Sequence, residues 1–185
     1  SLELKMELKK VISAFDFGGE ITGIEECKAG HINGTYFVMT TAGKFVLQRI
    51  NKSVFKKPDE VMANIAGVTA HIRRRLAESG GDAERGALSF VKAGDKYFTV
   101  GDDGEYYRAY RFVDGDCFSV CDSEALLERA GRAFGAFQRQ LEDYDASTLF
   151  ETIPDFHNTK KRLDDCLAAA EQNEFGRSDE AATLL

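Results

Sequence analysis

Apolar, aromatic and β-branched residues dominate two short runs within residues 30–51, and this pattern predicts a β-hairpin. Ala42 and Gly43 separate the two runs, and glycine favours the tight reversal between antiparallel strands. Because strand side chains point alternately to opposite faces, the second run is expected to present two different faces. One face carries Phe45, Leu47 and Arg49, and the other carries Val46, Gln48 and Ile50.

Helical periodicity lies on both sides of this hairpin. Residues 2–15 repeat apolar side chains at helical spacing, and a strand is expected over residues 21–28. After the hairpin, Pro58 followed by two acidic residues marks the start of a long helix. Its apolar residues recur at spacings of four and three, which predicts one buried face. That face comprises Val61, Ile65, Val68, Ile72 and Leu76.

Three strand-like runs follow the long helix, at residues 87–92, 96–100 and 105–113, with turns rich in glycine and aspartate between them. A parallel sheet would require a helix after nearly every strand. Here a single long helix is inserted among five or six predicted strands. The sequence therefore predicts an α+β fold with an antiparallel sheet.

The remainder of the chain has a helical pattern. Asp122 or Ser123 can cap a helix with an apolar stripe that is expected to be buried, and a second helix is predicted over residues 159–172. The change of pattern divides the chain into residues 1–113, which contain the sheet, and residues 114–185, which are helical. The apolar stripe of the first of these helices comprises Leu127, Ala130, Phe134, Phe137 and Leu141.

Composition is that of an ordinary soluble globular protein, with 43% hydrophobic and 30% charged residues. A net charge of −7 argues against a general affinity for nucleic acid or anionic membranes. No apolar run approaches the roughly 20 residues of a membrane helix, and the charged N-terminus lacks a secretory leader, which favours a cytoplasmic location. The four cysteines lack the spacing of a metal site, so we expect reduced structural thiols.

The loop that precedes the hairpin has the composition of a phosphate-binding loop. Its glycine, asparagine and threonine residues can offer backbone N–H groups to a phosphate chain. Arg49, in an otherwise apolar strand, needs a nearby anion if it is buried. Two interpretations stay open at this point. Arg49 and the loop form a nucleotide clamp, or Arg49 lies at a sheet edge and extends its guanidinium into water.

Five short motifs are distributed over most of the chain. They are GHIN at 30–33, FVLQRIN at 45–51, NIAGVT at 64–69, YRAYRF at 107–112 and ETIPDFHNT at 151–159. In these motifs the chain resembles the start of the aminoglycoside phosphotransferase and choline kinase superfamily, and within it the N-acetylhexosamine 1-kinases. The resemblance implies that residues 1–113 form a protein-kinase-like nucleotide-binding lobe. Residues 114–185 would then be the hinge and the beginning of a helical C-terminal lobe.

The resemblance implies that ATP binds to this lobe. Tyr110 would take the gatekeeper position, with the backbone of the segment after it binding adenine. In kinase-like folds a glutamate of the long helix commonly holds a cation of the neighbouring strand. Glu60 or Asn64 could take that place as the partner of Arg49, and both stay open. The residues implied in nucleotide binding are Gly30, His31, Asn33, Gly34, Thr35, Leu47, Arg49, Asn64, Arg111 and Val113.

The resemblance also implies the reaction, which is the Mg²⁺-dependent transfer of phosphate from ATP to a hydroxyl of a small molecule. The first expectation for the acceptor is an N-acetylhexosamine; choline, homoserine or a fructosamine, and a noncatalytic binding module, are alternatives. In this superfamily a His-x-Asp segment and the magnesium ligands follow in the C-terminal lobe, but His157 is followed by Asn158 and Thr159. We therefore expect no catalytic or metal-binding residue in this chain, which would be the N-terminal part of a longer kinase and inactive alone.

Overall fold

The structure is a computed structural model, and it describes residues 2–28, 32–118, 120–121 and 123–181. The chain divides into two compact units, the first ending at Thr152 and the second beginning at Ile153. The first unit contains the sheet and the long helix, and the described part of the second unit is helical.

A five-stranded sheet lies in the first unit. Its strands are β1 (Ile21–Cys27), β2 (Gly34–Thr40), β3 (Gly43–Arg49), β4 (Thr99–Val100) and β5 (Tyr106–Arg111). The strand order is β1-β2-β3-β5-β4, and all neighbours are antiparallel. The predicted α+β class and the predicted hairpin, which is the β2–β3 pair, are confirmed. Gly43 has a φ of +129°, a conformation that side-chain-bearing residues rarely adopt, so glycine is required at this reversal.

Two of the predicted strands are largely absent. Within residues 87–92, Phe90 forms one isolated bridge to Tyr110. Residues 96–100 contribute the two-residue β4 to the sheet, and Lys96 forms one isolated bridge to Ala93. The segment nevertheless bonds to β5, because the Arg111 amide donates to the Ser89 carbonyl at 2.9 Å and the Val91 amide donates to the Ala109 carbonyl at 2.8 Å. The β-like composition thus produces contact with the sheet edge but no regular ladder.

One face of the sheet packs against α1 (Leu2–Ser13), which confirms the helix predicted near the N-terminus. Leu8, Val11 and Ile12 of this helix are at most 5% exposed. They pack on sheet residues that alternate along each strand, as the period of two requires. Those sheet residues are Tyr36, Val38, Phe45, Leu47, Tyr107 and Ala109.

The opposite face of the sheet is turned toward α2 (Pro58–Glu78), the predicted long helix. Val61 and Ile72 of its apolar stripe are buried, while Ile65, Val68 and Leu76 are half-buried. A four-residue helix, α3 (Ala83–Gly86), follows and was not predicted. The sequence signal for α3 is Asp82, which lies at its N-cap. The Asp82 carboxylate accepts hydrogen bonds from the amides of Glu84 and Arg85.

The remaining described α-helices are α4 (Glu124–Gln140) in the first unit and α5 (Thr159–Gln172) and α6 (Ser178–Ala181) in the second, and a short 3-10 helix (Ala146–Thr148) follows α4. Ser123 caps α4 as predicted, through a hydrogen bond from the Leu126 amide, whereas Asp122 lies outside the described residues. The bounds of α5 match its prediction. No helix in the described part of the chain is both long enough and apolar enough to span a membrane.

The buried stripe predicted for α4 is wrong. Phe134 is 72% exposed, Leu127 is 59% exposed and Phe137 is 47% exposed. Helical periodicity shows that one face is apolar, but it does not show that a partner covers that face.

Candidate functional site

Three polar side chains from adjacent strands lie side by side on the face of the sheet that is turned toward α2. Thr35 of β2 is in register with Gln48 of β3, and Gln48 is in register with Arg108 of β5. Nε and Nη2 of Arg108 donate to Oε1 of Gln48 at 3.1 and 2.9 Å, and Nε2 of Gln48 donates to Oγ1 of Thr35 at 3.4 Å. We call Thr35, Gln48 and Arg108 the polar ladder.

Arg108 is the cation of this ladder. Its side chain is half-buried, and burial lowers the pKa of its guanidinium below the ordinary value because desolvation disfavours the charged form. Its acceptor in the ladder is the amide oxygen of Gln48, which is neutral. The hydrogen bonds therefore fix the guanidinium without cancelling its charge, and the charge remains available to an anionic ligand.

A cavity of about 300 Å³ lies between the polar ladder and α2. Gln48, Arg108 and Tyr110 line it from the sheet, and Asn64 contributes an amide side chain from the helix. The remaining lining residues combine apolar surface with one hydroxyl, and they are Ile65, Val68, Thr69, Leu88 and Phe90. Such a combination of apolar walls and a few polar groups is typical of a small-molecule site.

The proposed hinge begins where β5 ends. Tyr110 packs against Phe90 with a ring-centroid distance of 5.4 Å, and the Phe112 amide donates to the Lys44 carbonyl at 3.0 Å. Nζ of Lys44 also lies 4.1 Å from the centroid of the Phe112 ring. These contacts fix the backbone through Phe112, and the next residue, Val113, is 40% exposed. The segment 111–113 thus leaves the sheet beside the cavity that Tyr110 lines.

Arg49 lies on the opposite face of the sheet from the polar ladder. It is in register with Tyr107, whose side chain belongs to the core under α1, and with Gly34 at the start of β2. The guanidinium lies along Gly34, because a Cβ built there would be 3.5 Å from Nε of Arg49. Arg49 is exposed, and together with Ile32 and Gly34 it lines a second cavity of about 360 Å³ at the end of the loop. Its role as a phosphate contact stays a prediction.

The two predicted partners of Arg49 have other contacts. Glu60 forms an ion pair of 2.7 Å with Lys57. The Asn64 side chain makes two hydrogen bonds to the backbone of Phe150, donating to its carbonyl at 2.8 Å and accepting from its amide at 2.9 Å. Both residues belong to α2, which faces the other side of the sheet, and no hydrogen bond or ion pair between described residues joins either of them to Arg49.

The other predicted nucleotide-binding residues are divided between the loop end, the core and the hinge. Asn33 closes the end of the hairpin, because its Oδ1 accepts from the Asn51 amide at 3.0 Å. Leu47 is fully buried among the residues that pack under α1, which gives its side chain a packing role. The Arg111 guanidinium lies 5.1 Å from the centroid of the Phe45 ring, on the α1 side. Gly30 and His31 lie outside the described residues.

Sequence reasoning missed the role of Arg108, although the residue lies inside the motif at 107–112. The alternation along β5 carried part of the signal, since it separates Arg108 and Tyr110 from Tyr107, Ala109 and Arg111. What the sequence lacked was the register between β3 and β5, which brings Arg108 opposite Gln48.

No group of three His, Cys, Asp or Glu side chains that could hold a metal ion occurs among the described residues. The cavity between the polar ladder and α2 combines the fixed guanidinium of Arg108, the amide side chains of Gln48 and Asn64 and an apolar wall. This combination suits an organic anion.

The chain matches the model of a known protein family. The model of the phosphotransferase enzyme family matches residues 23–183, which include most of β1, all of β2–β5, α2, the proposed hinge segment and the described helices that follow. The match therefore extends over most of the chain and includes every residue of the polar ladder. On this evidence the chain belongs to the phosphotransferase enzyme family.

Proposed function

We propose that this chain is the nucleotide-binding part of an ATP-dependent kinase that phosphorylates a hydroxyl group of a small molecule. The observation that carries the proposal is the half-buried cation of Arg108, fixed by a neutral amide and facing the cavity that Tyr110 also lines. A phosphate chain supplies the negative charge that this site lacks. Family membership supports phosphoryl transfer as the reaction class.

The adenine base would contact the hinge segment. The carbonyl of Arg111 and the amide of Val113 would make its hydrogen bonds, and the side chains matter little because peptide groups make these contacts. Tyr110, packed against Phe90, would set the depth to which the base can enter. Since the neighbouring backbone is held by the bond from the Phe112 amide to the Lys44 carbonyl, the hinge is positioned before the ligand arrives.

The phosphates would lie toward the loop end of the hairpin, near Gly34 and Thr35, with the predicted loop residues Gly30, His31 and Asn33 beside them. Arg49, whose guanidinium lies along Gly34, stays a predicted phosphate contact from the outer side. ATP supplies the transferable γ-phosphoryl group, and the protein contributes positioning and electrostatic stabilisation. Mg²⁺ is proposed as a cofactor, and its ligands and the catalytic base are expected in the C-terminal lobe, so we assign neither role to a residue described here.

An N-acetylhexosamine is the proposed acceptor, and its C1 hydroxyl is the proposed site of phosphorylation. Support comes from the motifs at 30–33, 45–51, 64–69, 107–112 and 151–159 and their resemblance to the N-acetylhexosamine 1-kinases. Carbohydrate metabolism in the cytoplasm is proposed with it. A panel of amino sugars, choline, homoserine and fructosamines, assayed with ATP and a protein that includes the C-terminal lobe, tests this assignment. Phosphorylation of choline or homoserine in preference to every amino sugar would contradict it.

Nucleotide binding can be tested on the chain itself by isothermal titration calorimetry. We expect saturable binding of AMP-PNP, a non-hydrolysable ATP analogue, and weaker binding of the corresponding guanine nucleotide, because the hinge carbonyl and amide match adenine. Absence of AMP-PNP binding at millimolar concentration would contradict the proposal. Equal affinity for the two bases would contradict the assignment of the hinge.

A further inference from the structure

We propose that Arg108 of β5 is the cation that contacts the nucleotide phosphates on the α2 side of the sheet, with Gln48 of β3 as the residue that positions it. This inference rests on the proposed function. Kinase-like sites usually take this cation from β3 and pair it with a glutamate of the helix. In this sheet, the residues that line the cavity from β3 and α2 include the amides Gln48 and Asn64, and the cation that lines it, Arg108, lies on the neighbouring strand β5.

The strand register makes this exchange geometrically possible. Gln48 and Arg108 are directly opposite each other, and side chains in such pairs have Cβ atoms about 4.5–5.5 Å apart. A long guanidinium side chain on β5 can therefore reach the volume that a cation on β3 would occupy. Both residues also line the same cavity between the sheet and α2, whereas Arg49 lies on the other face.

The hydrogen bonds orient Arg108 without using all of its donors. A guanidinium has five N–H groups, and the two bonds to Gln48 use the one on Nε and one of the two on Nη2. The N–H groups of Nη1 are not used in these bonds. Gln48 is itself held at its other end by Thr35, which is the first residue after Gly34 in β2. The polar ladder thus connects the cation to the loop end of the hairpin, where the phosphates are proposed to lie.

Burial adds an energetic argument. Burial lowers the pKa of the Arg108 guanidinium below its ordinary value, because desolvation disfavours the charged form. A neutral amide compensates for this cost only partly, whereas a phosphate would compensate for it with charge-assisted hydrogen bonds. The bound anion therefore completes a site that the ladder leaves with a net positive charge.

The test compares adenosine with AMP-PNP, because the ratio of their dissociation constants isolates the contribution of the phosphates. Arg108→Gln is expected to weaken AMP-PNP binding at least tenfold and to leave adenosine binding within about twofold, as expected for loss of one charge-assisted contact. Arg132→Gln is the control with the same change in net charge, since Arg132 lies exposed on α4 and pairs with Glu128. It should change neither constant.

A double variant that moves the positive charge from β5 to β3 tests whether phosphate-dependent affinity can be restored. In the double variant Gln48→Lys with Arg108→Gln, the cation returns to β3, and we expect most of the phosphate-dependent affinity to return with it. Gln48→Ala should reduce AMP-PNP affinity less than Arg108→Gln, because the cation remains but is no longer held. Circular dichroism and thermal unfolding establish that each variant is folded, and the exchange variant and Gln48→Ala decide the question if Arg108→Gln does not fold.

Three results would overturn the inference. Equal losses of adenosine and AMP-PNP affinity in Arg108→Gln would show a structural role. Loss of AMP-PNP affinity in Arg49→Gln, with none in Arg108→Gln, would place the phosphate cation on the outer face. If the double variant Gln48→Lys with Arg108→Gln folds but has no phosphate-dependent affinity, a cation on β3 does not reach the volume that the Arg108 guanidinium occupies. If the unaltered protein binds neither adenosine nor AMP-PNP, the proposed function fails as well, which distinguishes the two failures.

Discussion

Asn64 links α2 to the chain that follows α4, and its replacement by alanine tests how strongly. The Asn64 side chain makes two hydrogen bonds to the backbone of Phe150, of 2.8 and 2.9 Å. Each such bond contributes about 0.5–1.5 kcal/mol, so Asn64→Ala should lower the free energy of opening at Phe150 by about 1–3 kcal/mol. The partial exposure of both groups favours the lower half of that range.

Amide hydrogen exchange measures this effect at one residue. In the regime where exchange reports the opening equilibrium, a loss of about 1–3 kcal/mol corresponds to a 5- to 150-fold faster exchange of the Phe150 amide. Asn64→Asp should give an intermediate result, since one carboxylate oxygen still accepts from the Phe150 amide while the other faces its carbonyl. Thr69→Ala is the matched control, because the Thr69 hydroxyl bonds within α2 to the Ile65 carbonyl. An exchange rate at Phe150 that changes less than twofold in Asn64→Ala would refute the reasoning.

Three further predictions concern the sheet. Leu47→Ala should destabilise the protein by about 2–5 kcal/mol in urea unfolding, because the side chain is fully buried under α1, and a loss below about 1 kcal/mol would contradict that packing. Burial, and then the hydrogen bond to Asp103, raise the pKa of Tyr107 above its ordinary value of 10.0, so the stability it contributes is present below pH 10 and is lost as the pH rises further. The free energy of unfolding should therefore fall more steeply above pH 10 in the unaltered protein than in Tyr107→Phe; equal slopes would contradict this. Gly34→Ala should be tolerated within about 1 kcal/mol, because its Cβ would be in ordinary contact, 3.5 Å from Nε of Arg49; a larger loss in thermal or urea unfolding would show strain that the structure does not contain.

The elements with strong local signals were predictable from the sequence. The start of α2 at Pro58, the hairpin around Gly43 and the bounds of α5 follow from proline geometry, turn chemistry and periodicity. These signals are local, so they can be recognised in the sequence without knowledge of the tertiary partners.

The failures have a common cause, which is that local patterns do not specify partners. The apolar stripe of α4 is real, but Phe134 is exposed in this structure. Residues 87–92 have strand-like composition, yet they meet β5 through one bridge because only a short stretch bonds to the sheet edge. Tertiary pairing decides between a strand and an irregular segment when propensity is equal.

The same limitation affected the candidate site. Arg49 stood out in the sequence because it is charged in an apolar run, but alternation places it beside Tyr107, on the α1 side. Gln48 and Arg108 are sixty residues apart, and nothing local indicates that they are bonded to each other. Their pairing depends on the β3–β5 register, which is a long-range property of the fold.

The central claim is that an adenine nucleotide binds on the α2 side of the sheet, between the hinge and the polar ladder. Nuclear magnetic resonance titration of the ¹⁵N-labelled protein with AMP-PNP tests this most directly, because the Nε–H group of Arg108 and the Val113 amide give separate signals for phosphate and adenine. We expect both signals to shift in a saturable way with one dissociation constant, while the signals of α1 residues such as Val11 stay unchanged. Shifts confined to the α1 face, or none at Arg108 and Val113 at saturating AMP-PNP, would contradict the account.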